Sequence, residues 1–186
     1  ESQGYAQYYD VIYFEVNNHL HSFNMTSKNV ATNIVQLHAD GDPNGKMFIP
    51  CLASDNKYIY ILGGASDYDF VNWQITSNTM SRGLFYYYDP ISNMIIAGPN
   101  MKQGTFRHSC GIVKGYLYSF GGLNPKEISL NTMQRIYIGN APSFQNIEWE
   151  TLSDGMNGNR VWSKAVTMND QIYIIGGRSG TNNWNN

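Results

Sequence analysis

Apolar and aromatic residues gather in short runs along the chain, and three of these runs end in a pair of glycines. Gly122 follows Gly64 by 58 positions, and Gly177 follows Gly122 by 55. Similar runs at a nearly constant spacing are typical of a repeat protein. No window sustains the apolar spacing of a helix face, so the runs predict β-strands. The three pairs are Gly63 and Gly64, Gly121 and Gly122, and Gly176 and Gly177.

A tight turn and another apolar segment precede each glycine-terminated run. In the middle copy, residues 105–113 and 116–120 are the two predicted strands, and Lys114-Gly115 is the turn between them. A two-residue link that contains glycine favours a β-hairpin. The third copy has the same order, with Asn169-Asp170 as its turn. Each copy therefore predicts a hairpin that ends in glycines.

Two further strand-like segments follow each complete hairpin, such as residues 84–90 and 93–97 after the first glycine pair. Four short strands in a unit of this length are the layout of one blade of a β-propeller. The predicted units are a degenerate partial blade at 1–46, complete blades at 47–102 and 103–156, and the first half of a further blade at 157–186.

This pattern resembles the Kelch repeat of β-propeller proteins. The resemblance rests on the three glycine pairs, on Tyr88-Asp89, on Trp149, and on the linker residues Arg107 and Arg160. It implies an all-β fold of four-stranded antiparallel Kelch-type blades, incomplete as a single chain. Because closed propellers have about 4–8 blades, we expect additional blades from the same protein or from another copy. The resemblance also favours an intracellular location, with secretion as the alternative.

The glycine pairs have a steric explanation. A residue without Cβ can adopt a positive φ and lets a large side chain lie against its backbone. We expect an aromatic residue of the fourth strand to pack there, and Trp149 is the candidate in its unit. Valine at Gly121 or at Gly176 is therefore predicted to destabilise the fold by roughly 2–4 kcal/mol in both cases.

Composition narrows the classes of partner. Hydrophobic residues make up 42% of the chain, which argues against disorder. Charged residues make up only 14%, against about 25% in typical proteins, and the net charge is −2. The chain has no basic footprint for nucleic acid and no apolar stretch of the ~20 residues that a membrane span needs. A protein partner is the remaining expectation.

The two cysteines, Cys51 and Cys110, occupy comparable places in neighbouring units. Equivalent strands of adjacent units are usually further apart than the ~5.5 Å between Cα atoms that a disulfide requires. We therefore expect free thiols, with a disulfide as the alternative. Asn24-Met25-Thr26 is an N-glycosylation sequon, which is relevant only to a secreted protein.

Candidate metal sites are incomplete. Residues 40–45 match the first half of a calcium loop, but its twelfth position is Cys51 instead of glutamate, so a turn is expected. His19 and His21 point to one strand face without a third ligand nearby, so a polar face is expected. Copper oxidases of the Kelch type are a further alternative, although no matching motif is present. We predict no catalytic residues, no metal and no cofactor.

A long loop at residues 65–83 is the predicted partner surface, because long loops in compact domains tend to be functional. Aromatic and arginine side chains are favoured interface anchors. Local packing of the loop is the alternative, and Arg107 and Arg160 have the alternative role of bridging neighbouring blades. The predicted partner-binding residues are Tyr68, Phe70, Trp73, Arg82, Arg107 and Arg160.

The predicted function is a protein-interaction or scaffold module that presents its blade-connecting loops to a protein partner. The chain is not predicted to be an enzyme. Two alternatives remain open, namely a structural subunit of a large assembly and a secreted catalytic propeller of the oxidase type.

Overall fold

The computed structural model of the protein describes residues 5–39, 42–66 and 83–179. Within these ranges the regular structure consists of β-strands, and every strand pairing is antiparallel. The all-β class predicted from the sequence is confirmed for this part of the chain.

The first sheet has four strands that pair in chain order. It contains one strand more than the sequence predicted, because the Tyr-Ala-Gln-Tyr segment at its start is too short and too polar to be recognised as an apolar run. Only Ala6 of that strand is buried. The strands are β1 (Tyr5–Tyr8), β2 (Val11–Val16), β3 (His19–Asn24) and β4 (Val30–Gln36).

A short ribbon separates the first sheet from the second. It pairs β5 (His38–Ala39) with β6 (Asp42–Lys46). This ribbon occupies most of the segment that matches half of a calcium loop, and residues 40–41 of that segment lie outside the described residues.

The second and third sheets repeat the four-stranded arrangement, again with each strand paired to its neighbours in the chain. The second sheet contains β7 (Cys51–Ser54), β8 (Ile59–Leu62), β9 (Phe85–Asp89) and β10 (Met94–Ala97). The third contains β11 (Ser109–Val113), β12 (Tyr116–Phe120), β13 (Met133–Tyr137) and β14 (Glu150–Leu152).

The fourth sheet pairs two strands, β15 (Val161–Met168) and β16 (Gln171–Arg178). Both predicted two-residue turns are confirmed, since Val113 pairs with Tyr116 and Met168 pairs with Gln171. All four turn residues have positive φ, as the type I′ hairpin turn requires.

The core lies between successive sheets. One cluster joins the first sheet to the second through side chains such as Tyr13, Leu20 and Ile61. A second cluster joins the second sheet to the third around Tyr60, Phe85 and Trp149. The first strands of consecutive sheets lie side by side, so β7 packs between β1 and β11, and β11 packs against β15.

The connections alternate between the two ends of each sheet, because each sheet is an antiparallel meander. One end, which we call the linker face, carries the β2–β3, β8–β9 and β12–β13 connections and the linkers at residues 98–108 and 153–160. The opposite end carries the remaining hairpin turns, including β3–β4 and β9–β10.

Candidate functional site

A groove of about 460 Å³ runs along the first strands of the four sheets. Its walls come from β1, β7, β11 and β15, and they mix hydroxyl, sulfur and aliphatic groups. The partial desolvation of Lys164 in this wall lowers the pKa of its ammonium group. The groove is therefore a concave surface of mixed polarity, shared by all four sheets.

A disulfide between Cys51 and Cys110 lines this groove and links β7 to β11. The expectation of free thiols is wrong. The two Cα atoms are 6.0 Å apart, because the first strands of consecutive sheets converge on the common groove. The distance expected between equivalent strands of adjacent units does not apply to the first strands of these sheets.

Hydroxyl groups connect the third sheet to the fourth. The Ser109 and Ser163 hydroxyl oxygens are 3.0 Å apart, and the Thr167 hydroxyl donates to the Ile112 carbonyl at 2.9 Å. Ser109 and Ser163 are both buried. These groups use their hydrogen-bonding capacity to hold neighbouring sheets together.

His108 is the most deeply buried ionisable group beside the groove. It lies immediately before β11, and neither of its ring nitrogens has a hydrogen-bond partner among the described residues. A Cβ atom built on Gly63 would lie 2.7 Å from its ring carbon Cε1. Burial lowers the pKa of the imidazole to about 3, because the charged form loses its hydration. At neutral pH, the uncharged imidazole of His108 therefore packs between two sheets.

This burial predicts an acid sensitivity. The pKa is lower in the folded state, so the unfolded state binds more protons below about pH 6.5. The neutral imidazole of His108 therefore contributes its full stability to the fold above that pH. This contribution is lost as the pH falls towards about 3. Between pH 7.5 and pH 5 we expect the free energy of unfolding to fall by about 2 kcal/mol because of His108.

Urea titrations at both pH values should show this loss in the wild-type protein and a smaller loss in His108→Leu. The comparison between the two proteins removes the contribution of every other titrating group. Parallel pH profiles for wild type and variant would contradict the prediction.

Two of the glycine pairs hold the second and third sheets to the linker that follows each of them. Gly64 donates its backbone N–H to the Thr105 carbonyl at 2.9 Å, and Gly122 donates to the Arg160 carbonyl at 2.8 Å. Cβ atoms built on Gly63 and Gly121 would overlap these same two carbonyl oxygens. The nearest neighbour at both glycines is thus a backbone oxygen, and the expectation of an aromatic residue from the fourth strand is wrong.

Trp149 has a different role from the expected one. Its indole packs edge-on against Phe85, with 5.6 Å between ring centroids, and its Nε1 donates to the Pro99 carbonyl at 2.8 Å. It fills the space between the second and third sheets and is almost fully buried.

The third glycine pair differs from the other two. A Cβ atom on Gly176 would meet no described atom within 4 Å, although the residue has a φ of +67°. The Arg160 guanidinium donates to the Gly176 carbonyl at 2.6 Å. Space alone therefore does not require glycine at this position, contrary to the expectation.

The first sheet has no glycine pair, and buried side chains make the equivalent connection. The Glu15 carboxylate accepts the Asn18 backbone N–H at 2.8 Å, and the Asn18 side-chain oxygen accepts the Met47 N–H at 2.5 Å. Burial raises the pKa of Glu15. Sequence reasoning missed both residues, although a carboxylate within an apolar strand was a visible signal.

Tyr88 and Asp89 shape the turn at the opposite end of the second sheet. The Tyr88 hydroxyl donates to the Asn93 side-chain oxygen at 2.7 Å, and burial raises its pKa to about 12. The Asp89 carboxylate accepts the Ser92 hydroxyl and the Ile91 N–H, which lowers its pKa. Both residues have local structural contacts.

Arg107 and Arg160 occupy bridging positions. The Arg107 guanidinium lies 4.5 Å from the Trp162 ring centroid, and its side chain is buried. These contacts join the third sheet to the fourth and fit the bridging alternative. The other predicted partner-binding residues, Tyr68, Phe70, Trp73 and Arg82, lie outside the described residues.

Ile128 is an exposed apolar residue on the linker face that sequence reasoning did not single out. It lies in the β12–β13 connection, and 52% of its surface is accessible. The Asn124 side-chain oxygen accepts the backbone N–H groups of Lys126 and Ile128, at 2.9 and 3.0 Å. The connection therefore presents an aliphatic side chain on a fixed backbone.

His19 and His21 have local partners. The rings contact the carbonyls of Asn17 and Val16, and His21 stacks on Phe14 with 5.6 Å between centroids. No group of three or more metal-ligating side chains occurs within the described residues. None of the described segments forms a helix of the length and apolarity that a membrane crossing requires.

These features define an all-β protein of successive antiparallel meander sheets, joined around a common groove. No protein-family model matches the chain, and no curated protein matches it. The solved structure of YjhT is similar, with a TM-score of 0.70 and 14% sequence identity. The similarity covers 94% of this chain and 57% of the YjhT chain, and at this identity it shows the fold alone.

Proposed function

We propose that the chain is part of a Kelch-type β-propeller that acts as a protein-interaction or scaffold module, with no catalytic residues, metal or cofactor. The repetition of the sheets around one groove supports the propeller arrangement. So do the glycine pairs, two of which donate to the linker of the following sheet. Each sheet then corresponds to one blade.

The observation that carries the binding proposal is the construction of the linker face. Backbone hydrogen bonds from Gly64 and Gly122 hold two successive linkers against the preceding sheets. Ile128 projects from this scaffold on a connection that Asn124 holds in place. Binding residues concentrate on loops that a rigid scaffold positions, and an exposed aliphatic side chain there is a ready anchor.

We expect the residues of the long loop to extend this surface. The loop connects β8 to β9, so its two ends lie on the linker face. Tyr68, Phe70 and Trp73 would add aromatic anchors, and Arg82 would add hydrogen-bond donors. With a net charge of −2, the chain is suited to a partner that it recognises by shape and apolar contact.

We expect Ile128→Ala to weaken partner binding by at least tenfold, which corresponds to about 1.4 kcal/mol. The matched control is Ile91→Ala. Ile91 is 86% exposed, its N–H is held by the Asp89 side chain, and it lies at the opposite end of the sheets.

Immobilised wild type and variants should be compared for the proteins they retain, followed by titration of a retained protein. Loss of binding in Ile128→Ala and in Trp73→Ala, with normal binding in Ile91→Ala, supports the proposal that the linker face binds the partner. Equal binding by Ile128→Ala and Ile91→Ala would contradict the proposal. Thermal unfolding of each variant shows whether a loss of binding reflects a loss of structure.

One observation favours the second candidate, a structural subunit of a larger assembly. The face of the fourth sheet that points away from the third carries exposed Val166, Met168, Tyr173 and Ile175. The other sheets cover comparable faces with the next sheet along the chain. A further sheet, from the same protein or from another copy, would bury this face of the fourth sheet.

A further inference from the structure

The hairpin turn between β3 and β4 contains the sequon Asn24-Met25-Thr26. It is the single Asn-X-Ser/Thr triplet of the chain. Asn24 ends β3, and the turn continues through exposed Thr26, Ser27 and Lys28. The sequon therefore lies on an accessible turn at the edge of the first sheet.

The side chain of Asn24 is held by hydrogen bonds to its amide oxygen, and its amide nitrogen makes none with the described residues. Its Oδ1 accepts the backbone N–H groups of Thr26 at 2.9 Å and of Ser27 at 2.7 Å. Its Nδ2 has no hydrogen-bond partner among the described residues. Nδ2 is the atom that N-glycosylation modifies, so a glycan can be attached without loss of the hydrogen bonds that shape the turn.

The turn also leaves room for a large substituent. The β3–β4 connection lies at the end of the sheets opposite the linker face. A glycan there projects away from Ile128 and from the linkers. It is compatible with the packing of the first sheet on the second, which uses Tyr13 and Leu20 of the inner face.

The disulfide is an independent observation that bears on the compartment in which the sequon could be modified. Disulfides form and persist in oxidising compartments and are rare in the cytosol. The bond between Cys51 and Cys110 therefore indicates that the chain matures in such a compartment. In eukaryotes the same compartment carries out N-glycosylation, so both features have one cause.

We propose that Asn24 carries an N-linked glycan and that the protein matures in the secretory pathway. In the transfer step, the donor is an oligosaccharide linked to a lipid pyrophosphate. The Asn24 Nδ2 forms a bond to the anomeric carbon of the first sugar and loses one proton. The bond from that carbon to the pyrophosphate oxygen breaks, and the lipid pyrophosphate leaves.

The first test uses four proteins secreted from a eukaryotic host. Wild type and Thr26→Ser should carry a glycan, whereas Thr26→Ala and Asn24→Gln should not. Thr26→Ala is the decisive variant, because Thr26 supports the turn through its backbone N–H, which alanine retains. Treatment with an N-glycosidase should lower the mass of wild type and convert Asn24 to aspartate. A mass difference between wild type and Thr26→Ala that equals the substitution alone would overturn the acceptor assignment.

The second test uses the protein isolated from its natural source. We expect a glycosidase-sensitive mass on the peptide that contains Asn24, together with no free thiol on denaturation. An unmodified Asn24 would overturn the proposed glycan. Two free thiols would overturn the proposed compartment.

Discussion

Gly121→Ala is expected to lower the free energy of unfolding by about 3 kcal/mol, and Gly176→Ala by about 1 kcal/mol. Gly121 directly follows β12, Gly176 lies near the end of the equivalent strand β16, and the two have nearly the same φ, +61° and +67°. Both variants therefore incur the cost of a left-handed backbone, which is about 1–2 kcal/mol before any gain from a stiffer unfolded chain.

Only Gly121 has an additional steric cost. A Cβ atom there would overlap the Arg160 carbonyl oxygen and would lie 2.7 Å from the terminal methyl carbon of Met156. The Met156 side chain can move, but the Arg160 carbonyl is held by the hydrogen bond from Gly122. Chemical denaturation of both variants measures the difference, and equal losses would contradict this account of the glycine pairs.

Removal of the disulfide is expected to have the other large effect. The double variant Cys51→Ala/Cys110→Ala should lose roughly 4 kcal/mol of unfolding free energy, because the bond closes a loop of 59 residues in the unfolded chain. The alanines also remove apolar contacts beside the groove, but both cysteine side chains are small.

Denaturation with and without a reductant provides the control. The reductant should lower the midpoint of the wild-type protein towards that of the double variant and should leave the variant unchanged. A wild-type protein whose midpoint does not respond to reductant, and which has two titratable thiols when denatured, would contradict the expectation.

Much of the fold could be predicted from local pattern. The hairpins at Lys114-Gly115 and Asn169-Asp170 were predictable, because turn residues that tolerate positive φ separate two apolar runs. The strands before the glycine pairs were predictable for the same reason. Strand β1 was missed, because Tyr5–Tyr8 is a strand through its pairing with β2. Its own composition does not predict this pairing.

The candidate site was predictable only in part. Ile128 gave no signal, since exposure of one isoleucine depends on how the β12–β13 connection folds around Asn124. The arginines were assigned two possible roles, and their contacts fit the bridging role. The aromatic residues of the long loop remain predictions.

The sequence by itself determined the all-β class, the repeat and the position of most strands, because alternation and turn chemistry act over a few residues. Only the tertiary structure decided what lies next to each glycine and whether the cysteines meet. Those distances depend on how all the sheets converge on the groove. Gly121 and Gly176 end similar runs, yet a carbonyl of the following linker lies close to one and no described atom lies within 4 Å of the other. Cys51 and Cys110, 59 residues apart, are joined because β7 and β11 line the same groove.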